Sequence, residues 1–161
     1  MNFAKNKHLL KHVEQQKAKE TKWKRRFLEL AEFISNWSLD PNTKVGAVIS
    51  KGNKIISVGY NGFPKNIKDD HRLENRDLKN KIVAHAEVNT ILHAQKDLTG
   101  CTITTYPIPP CSQCATFIIT AGISKVVAPL NIPDRWKESI SLSIELFKEA
   151  GVICELIPNQ Q

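Results

Sequence analysis

The sequence lacks the features that would place the protein in a membrane or outside the cell. No apolar run approaches the ~20 residues that a membrane-spanning helix requires. The lysine-rich start has no apolar core of the kind found in secretory signal peptides. Only four cysteines are present, which suits a reducing compartment better than a disulfide framework. These absences predict a cytoplasmic protein without a membrane partner.

The chain also has no internal repeat and no low-complexity segment, and its length suits one compact domain. Its 161 residues are 41% hydrophobic, which is enough for a sizeable core. We therefore expect residues 1–22 to form a basic N-terminal extension and residues 23–161 to form a single domain.

Positive charge is concentrated in the first 26 residues. They hold nine lysines and arginines against two glutamates, whereas the rest of the chain holds 14 of each sign, so the whole net charge of +7 lies near the N-terminus. A basic arm of this kind can bind nucleic acid. It has only Phe3 and Trp23 as aromatic residues for base stacking. A solvated helical or partly disordered extension is therefore favoured, with nucleic-acid binding as the alternative.

Hydrophobic periodicity predicts alternating helices and strands. A first helix is expected near Trp23 to Trp37, followed by strands at 45–50 and 54–60 that a hairpin turn at 51–53 joins. Further helices are predicted at 85–96, 111–121 and 134–150, and further strands at 101–105, 124–128 and 152–157. This alternation favours an α/β protein in which helices cover both faces of a mixed five-stranded sheet, a three-layer α/β/α arrangement.

Four residues with two short spacings predict a metal centre. His85 and Glu87 are two positions apart, and Glu87 is followed 24 residues later by Cys111, with Cys114 one helical turn further on. If a helix starts after the Pro109–Pro110 pair, its dipole favours thiolates at both cysteines. One imidazole and two thiolates leave the fourth position of a tetrahedral zinc ion open to water, which is typical of catalytic zinc. Glu87 is then free to move protons.

Two other interpretations of the cysteine pair remain open. A Cys-x-x-Cys pair also occurs in redox proteins and as half of a structural zinc site. A redox pair has no need of the upstream His85 and Glu87, and a structural site would need a fourth ligand. The other two cysteines, Cys101 and Cys154, lie in segments that predict buried strands. We expect both to be small core residues.

The His-Ala-Glu motif at 85–87 and the Pro-Cys-x-x-Cys motif at 110–114 resemble those of zinc-dependent cytidine and deoxycytidylate (dCMP) deaminases. Residues 40–49 and 59–64 also resemble the two motifs that precede the metal site in dCMP deaminases. The resemblance implies a cytidine-deaminase-like fold, one catalytic zinc ion per chain and a homo-oligomer. It assigns zinc binding to His85, Cys111 and Cys114, proton transfer to Glu87, substrate binding to Asn61, and the pocket rim to Asn42 and Thr43.

The resemblance also implies a reaction. Zinc would activate a water that attacks C4 of a cytosine ring, and Glu87 would carry protons to ring N3 and then to the departing amine. Backbone N–H groups at Ala86 would help to hold the ring, and Tyr106 would line the pocket. Lys44, beside the pocket, is a candidate contact for a 5′-phosphate.

The polar segment from Lys65 to Lys81 bears on the choice of substrate. It makes the gap between Asn61 and His85 longer than in tRNA-adenosine deaminases, which the chain also resembles around the zinc motif. The cationic residues of the segment are further candidates for the phosphate contact, namely Lys65, Lys68, Arg72, Arg76, Lys79 and Lys81.

Trp136 lies outside this segment. It either stacks on a base or caps the core, and the core is the favoured interpretation.

The leading hypothesis is hydrolytic deamination of a free nucleotide, dCMP to dUMP. Two alternatives remain. One is deamination of another base, either free or within a nucleic acid such as tRNA, and the other is a non-catalytic, zinc-stabilised nucleotide-binding module. The presence of Glu87 argues against the module, since a structural zinc site has no use for that carboxylate.

Overall fold

The computed structural model describes residues 3–158, with side chains from residue 9 onward. Helices and strands alternate along this part of the chain. The helices are α1 (Phe3–Ser35), α2 (Arg76–Ile82), α3 (Ala86–Ala94), α4 (Ser112–Thr120) and α5 (Lys137–Glu149). The strands are β1 (Gly46–Lys51), β2 (Lys54–Tyr60), β3 (Thr102–Tyr106), β4 (Lys125–Pro129) and β5 (Ile153–Ile157). Two 3-10 turns, His71–Leu73 and Asp134–Trp136, precede α2 and α5.

The five strands form one mixed sheet in the order β2-β1-β3-β4-β5. β1 pairs antiparallel with both β2 and β3, whereas β3, β4 and β5 run parallel to one another. Gly46 lies opposite both Tyr60 and Tyr106, so the first residue of β1 and the last residues of β2 and β3 lie at the same end of the sheet. The predicted mixed five-stranded sheet and its antiparallel hairpin are confirmed. The carboxyl ends of parallel strands are a common place for ligand sites in α/β proteins.

Helices pack on both faces of the sheet. Successive side chains of a strand point to opposite faces, and β1 shows the consequence. Val48 packs with Phe27 and Ala31 of α1 on one face. Ala47 and Ile49 belong to a larger core on the other face, which side chains of α3, α4 and α5 complete. The predicted three-layer α/β/α arrangement is thus confirmed.

Two glycines allow helices to approach the sheet closely. A Cβ atom on Gly46 would lie 2.0 Å from the carbonyl oxygen of Ala31 and 2.6 Å from the backbone nitrogen of Ser35, both on α1. A Cβ atom on Gly59 would lie 2.5 Å from the hydroxyl of Thr90 and 2.8 Å from its backbone nitrogen, on α3. Only glycine fits at these positions without moving backbone. These close contacts position α1 and α3 directly against the sheet, on its opposite faces.

The helices differ from the sequence-based expectation in three places. α1 begins at Phe3 rather than near Trp23, and its residues 9–22 are exposed, so they carry no apolar periodicity to detect. The polar segment contains a 3-10 turn and α2, capped by the side chains of Asp70 and Asn75. The helix predicted at 134–150 is divided into a 3-10 turn and α5. Over residues 3–158, no helix has the length and hydropathy needed to cross a membrane.

Candidate active site

The predicted metal ligands meet at the N-termini of two helices. The side chain of Cys111 caps α4, Cys114 lies in the first turn of α4, and His85 directly precedes α3 at the N-cap position. The Nδ1 atom of His85 lies 3.5 Å from Sγ of Cys111 and 3.3 Å from Sγ of Cys114. Tetrahedral zinc with bonds of about 2.3 Å to sulfur and about 2.1 Å to nitrogen separates these atoms by about 3.6 Å. The arrangement therefore fits one zinc ion, and it is the one such cluster that residues 9–158 contain.

The groups around the cluster favour a thiolate at Cys111 but not at Cys114. The neighbouring Cys114 thiol, the His85 ring and the backbone N–H of Cys114 lower the pKa of Cys111 to about 4, although burial acts in the opposite direction. The Cys111 side chain raises the pKa of His85. Cys111 beside it, together with burial, raises the pKa of Cys114. The cluster thus favours one thiolate, at Cys111, and a bound cation would stabilise a second at Cys114.

Glu87 lies in the first turn of α3, beside the ligand cluster. Its side chain is 4% exposed, and burial raises the pKa of its carboxyl group above the ordinary value. A carboxyl group that takes up a proton more readily than usual is suited to general acid–base catalysis. The structure thus places a buried carboxyl group directly beside the predicted metal ligands.

A pocket of about 230 Å³ opens over the cluster. His85, Ala86, Glu87 and Cys111 line its inner end. The predicted substrate-binding residues Asn42, Thr43 and Asn61 line it as well. Most of the residues assigned from the two upstream motifs therefore converge on the metal ligands.

Asn61 also holds the loop that forms the pocket rim. Its side-chain oxygen accepts a hydrogen bond of 2.8 Å from the backbone N–H of Val45, and its amide nitrogen donates one of 2.9 Å to the carbonyl of Thr43. These bonds use the amide oxygen and one of its two N–H groups. The side chain, which is almost fully buried, thus positions residues 43–45 in addition to facing the pocket.

A buried ion pair secures the same loop from the other side. Oδ1 of Asp40 accepts bonds from the backbone N–H groups of Asn42 and Thr43, at 2.8 and 3.1 Å. Nζ of Lys79, on α2, donates to Asp40 Oδ1 and to Asn42 Oδ1, each at 2.8 Å. Both charged side chains of the pair are almost completely buried. Burial alone would raise the pKa of Asp40, but the bonds from Lys79 and the two N–H groups leave it below the ordinary value.

Two predicted substrate contacts lie outside the pocket. Tyr106 follows the alternation of β3, so its ring points to the α1 face, where its hydroxyl donates a 3.1 Å hydrogen bond to Glu32. Lys44 is exposed to solvent and does not line the pocket. The assignment of Tyr106 to the pocket wall is therefore wrong in this structure, and Lys44 has no contact there.

Two residues after β4, Arg135 and Trp136, line the pocket, although neither is among the substrate-binding residues predicted from the sequence. Trp136 forms part of the wall, contrary to the expectation that it caps the core, and its indole N–H has no hydrogen-bond partner among residues 9–158. Arg135 reaches the opposite rim and donates a hydrogen bond to the hydroxyl of Thr43. The position of both after the carboxyl end of a parallel strand is the one signal that could have indicated them.

Comparison with known proteins agrees with the geometry. A family model of the cytidine and deoxycytidylate deaminase zinc-binding region matches residues 21–130. The chain belongs to this deaminase family. An uncharacterized deaminase in the luxG 3′ region of Aliivibrio fischeri is 45% identical over 141 residues, which cover 86% of this chain and 95% of the relative. Deoxycytidylate deaminase of Homo sapiens is 35% identical over 140 residues, with coverage of 81% and 76%.

Solved structures show the same deaminase fold. The dCMP deaminase of cyanophage S-TIM5 in its apo form superposes with a TM-score of 0.68 at 26% identity, covering 83% of this chain and 96% of that chain. The structure of the phage enzyme in complex with dCMP and dUMP gives a TM-score of 0.67. Membership in the family makes this deaminase a hydrolase of C–N bonds with zinc as its cofactor. The predictions of family, enzyme class and cofactor are confirmed.

Proposed function

We propose that the protein deaminates the free nucleotide dCMP to dUMP and ammonia. The observation that carries the proposal is the convergence of Glu87 and the His85, Cys111 and Cys114 cluster at the inner end of one pocket. Several relatives named deoxycytidylate deaminase align over most of the chain, and the superposable phage enzyme binds dCMP and dUMP. A free cytosine nucleotide is the substrate that these similarities favour.

Each group of the site has a separate task in this reaction. A zinc ion held by His85, Cys111 and Cys114 would supply the Lewis acidity that readies water for attack near neutral pH. Glu87 accepts a proton from the attacking water and donates it to ring N3, which makes C4 of the cytosine more electrophilic. The same carboxylate then takes the remaining proton from the new hydroxyl on C4 and gives it to the amino group. The C4–N bond breaks, the C4 carbonyl forms, and ammonia and uracil are released. The backbone of Ala86 and the side chain of Asn61 position the ring.

The rim loop completes the proposed pocket. Asn42 and Thr43 present polar side chains at the entrance, and Asn61 together with the Asp40–Lys79 pair holds them in place. A preformed polar rim lowers the conformational cost of binding a nucleotide. Asn42 and Thr43 are therefore proposed as substrate contacts whose geometry depends on residues behind them.

Conversion of dCMP to dUMP, followed by the change in ultraviolet absorbance, tests the proposal. Glu87→Gln keeps the size of the side chain and all three ligands, so it should bind one zinc per chain yet lose at least about 100-fold in turnover. Glu149→Gln, an exposed change on α5, is the matched control and should match the wild type. Unchanged turnover in Glu87→Gln at equal zinc content would show that this carboxyl group does not transfer the proton.

Catalysis in this proposal belongs to the domain that begins near residue 23, and residues 1–22 form an extension outside it. In α1, packing against the sheet begins at Trp23 and Phe27, whereas residues 9–22 are exposed. The basic surface of that extension is the feature that would serve a nucleic-acid substrate, which remains the alternative.

The four cysteines are unpaired, which fits the proposed location in the reducing cytoplasm. A homo-oligomer stays a prediction.

A further inference from the structure

Positive charge lies at the exposed part of the pocket, away from the buried metal ligands. Three cationic side chains, Arg76, Lys79 and Arg135, and two carboxylates, Asp40 and Glu87, belong to its wall. Asp40 is bound to the buried Lys79, so these two charges neutralise each other locally. Glu87 lies at the inner end beside the metal ligands and is almost fully buried. The two arginines therefore remain as the positive charges of the pocket entrance.

Both arginines are available to a ligand. Arg76 is the first residue of α2, and Arg135 lies in the 3-10 turn before α5, so they approach the pocket from different elements. Both are exposed, and within residues 9–158 neither forms an ion pair. Arg135 donates one hydrogen bond to Thr43, which directs its guanidinium toward the rim and leaves most of its five N–H groups unused.

The other cations considered for a phosphate contact are placed elsewhere. Arg72 is bound to Asp70 at 2.8 Å, and Lys79 is used by Asp40 and Asn42. The remaining lysines of the polar segment, and Lys44, do not line the pocket: Lys65, Lys68 and Lys81 are all exposed. This leaves Arg76 and Arg135 as the cations at the entrance.

We propose that Arg76 and Arg135 together bind the 5′-phosphate of the nucleotide, and that they make the pocket select a nucleoside monophosphate over a nucleoside. This inference rests on the proposed function, because it takes the base to lie at the inner, metal end of the pocket. The phosphate then lies toward the exposed entrance, where a doubly charged anion meets two cations. Guanidinium groups bind phosphate oxygens through paired, charge-assisted hydrogen bonds, which a neutral nucleoside cannot replace.

The test measures binding rather than turnover. Dissociation constants of dUMP and of deoxyuridine are determined by calorimetry for the zinc-loaded wild type, for Arg135→Gln, for Arg76→Gln and for the double variant. Each single change should weaken dUMP binding by about tenfold to 100-fold, because each removes charged hydrogen bonds. Deoxyuridine affinity should not change. Lys81→Gln, an exposed change on the same helix as Arg76, should leave both constants as in the wild type.

Two results would overturn the inference. If the double variant keeps the wild-type preference for dUMP over deoxyuridine, the arginines do not bind the phosphate. If both ligands weaken equally, the arginines shape the pocket without distinguishing the phosphate. This test is independent of the test of the proposed function. If the protein does not deaminate dCMP but its affinity for dUMP depends on the two arginines, the proposed reaction is wrong and the phosphate assignment stands. If the wild type deaminates dCMP but the variants keep the preference for dUMP over deoxyuridine, only the phosphate assignment is wrong.

Discussion

The ion pair between Asp40 and Lys79 provides the sharpest prediction about how the site is held. Lys79→Met removes the charge while keeping most of the length of the side chain, and it leaves a buried carboxylate with two backbone N–H partners. Breaking one partner of a buried pair costs about 3–5 kcal/mol, and the two remaining hydrogen bonds place this case near 3 kcal/mol. For a domain of this size the loss lowers the melting temperature by roughly 6–12 °C.

Urea denaturation of zinc-loaded protein measures this loss directly. Lys81→Met, on the exposed side of the same helix, is the matched control and should stay within about 0.5 kcal/mol of the wild type. The Lys79→Met variant should also have a raised KM for dCMP, because the rim residues Asn42 and Thr43 lose their support. A loss of less than about 1 kcal/mol would refute the reasoning, since the pair could not then be fixing the loop.

The pair also sets a dependence on pH. The pKa of Asp40 is lower in the folded protein than in the unfolded chain, so the unfolded chain takes up a proton first as the pH falls. The stability that Asp40 contributes is therefore complete well above pH ~4, the ordinary pKa of the side chain, and disappears as the pH falls through the folded-state value. Denaturation curves of the wild type and Lys79→Met should differ most near neutral pH and converge in acid. A difference that grows in acid would show that the sign is wrong.

Two further changes test the fold around the site. Gly46→Ala places a Cβ atom 2.0 Å from the carbonyl oxygen of Ala31, so α1 must move, and we expect a loss of about 3 kcal/mol in the free energy of unfolding. Gly62→Ala, where the added atom meets nothing closer than 4.0 Å, is its control, and equal losses in the two would contradict the close packing of α1 on β1. Deletion of residues 1–22 removes exposed helix and the surface pair between Glu20 and Lys125, so stability should fall by less than about 1 kcal/mol and kcat/KM for dCMP should not change. Loss of dCMP turnover in that truncated protein would show that the extension takes part in catalysis.

The metal centre was predictable because its geometry follows from local sequence. Cys111 and Cys114 are one helical turn apart at a helix start, and His85 and Glu87 share the first turn of another. The strands and the larger helices were also predictable, because their apolar residues repeat with the period of the element. The sequence did not indicate that His85 and the cysteines face each other. That contact was inferred from the requirements of a zinc ion and the resemblance to a family.

The pocket rim was harder to predict because its contacts join distant parts of the chain. Lys79 is one of six cationic residues in a polar segment, and its burial depends on Asp40, 39 positions earlier, which accepts its hydrogen bond. Arg135 meets Thr43 across 92 positions. Tyr106 lies on the α1 face, away from the predicted pocket wall, because side chains alternate along β3. Periodicity reports which face of an element is apolar, but it does not report which polar side chains meet across loops.

The most direct test of the central claim is ammonia release from the zinc-loaded protein offered dCMP, CMP, deoxycytidine, cytosine and a tRNA anticodon stem-loop in parallel. We expect dCMP to be the preferred substrate, deoxycytidine to be a poor one because it lacks the phosphate, and Glu87→Gln to be inactive on all five. Activity on the stem-loop without activity on dCMP would contradict the account and would move the basic N-terminal extension to the centre of substrate binding.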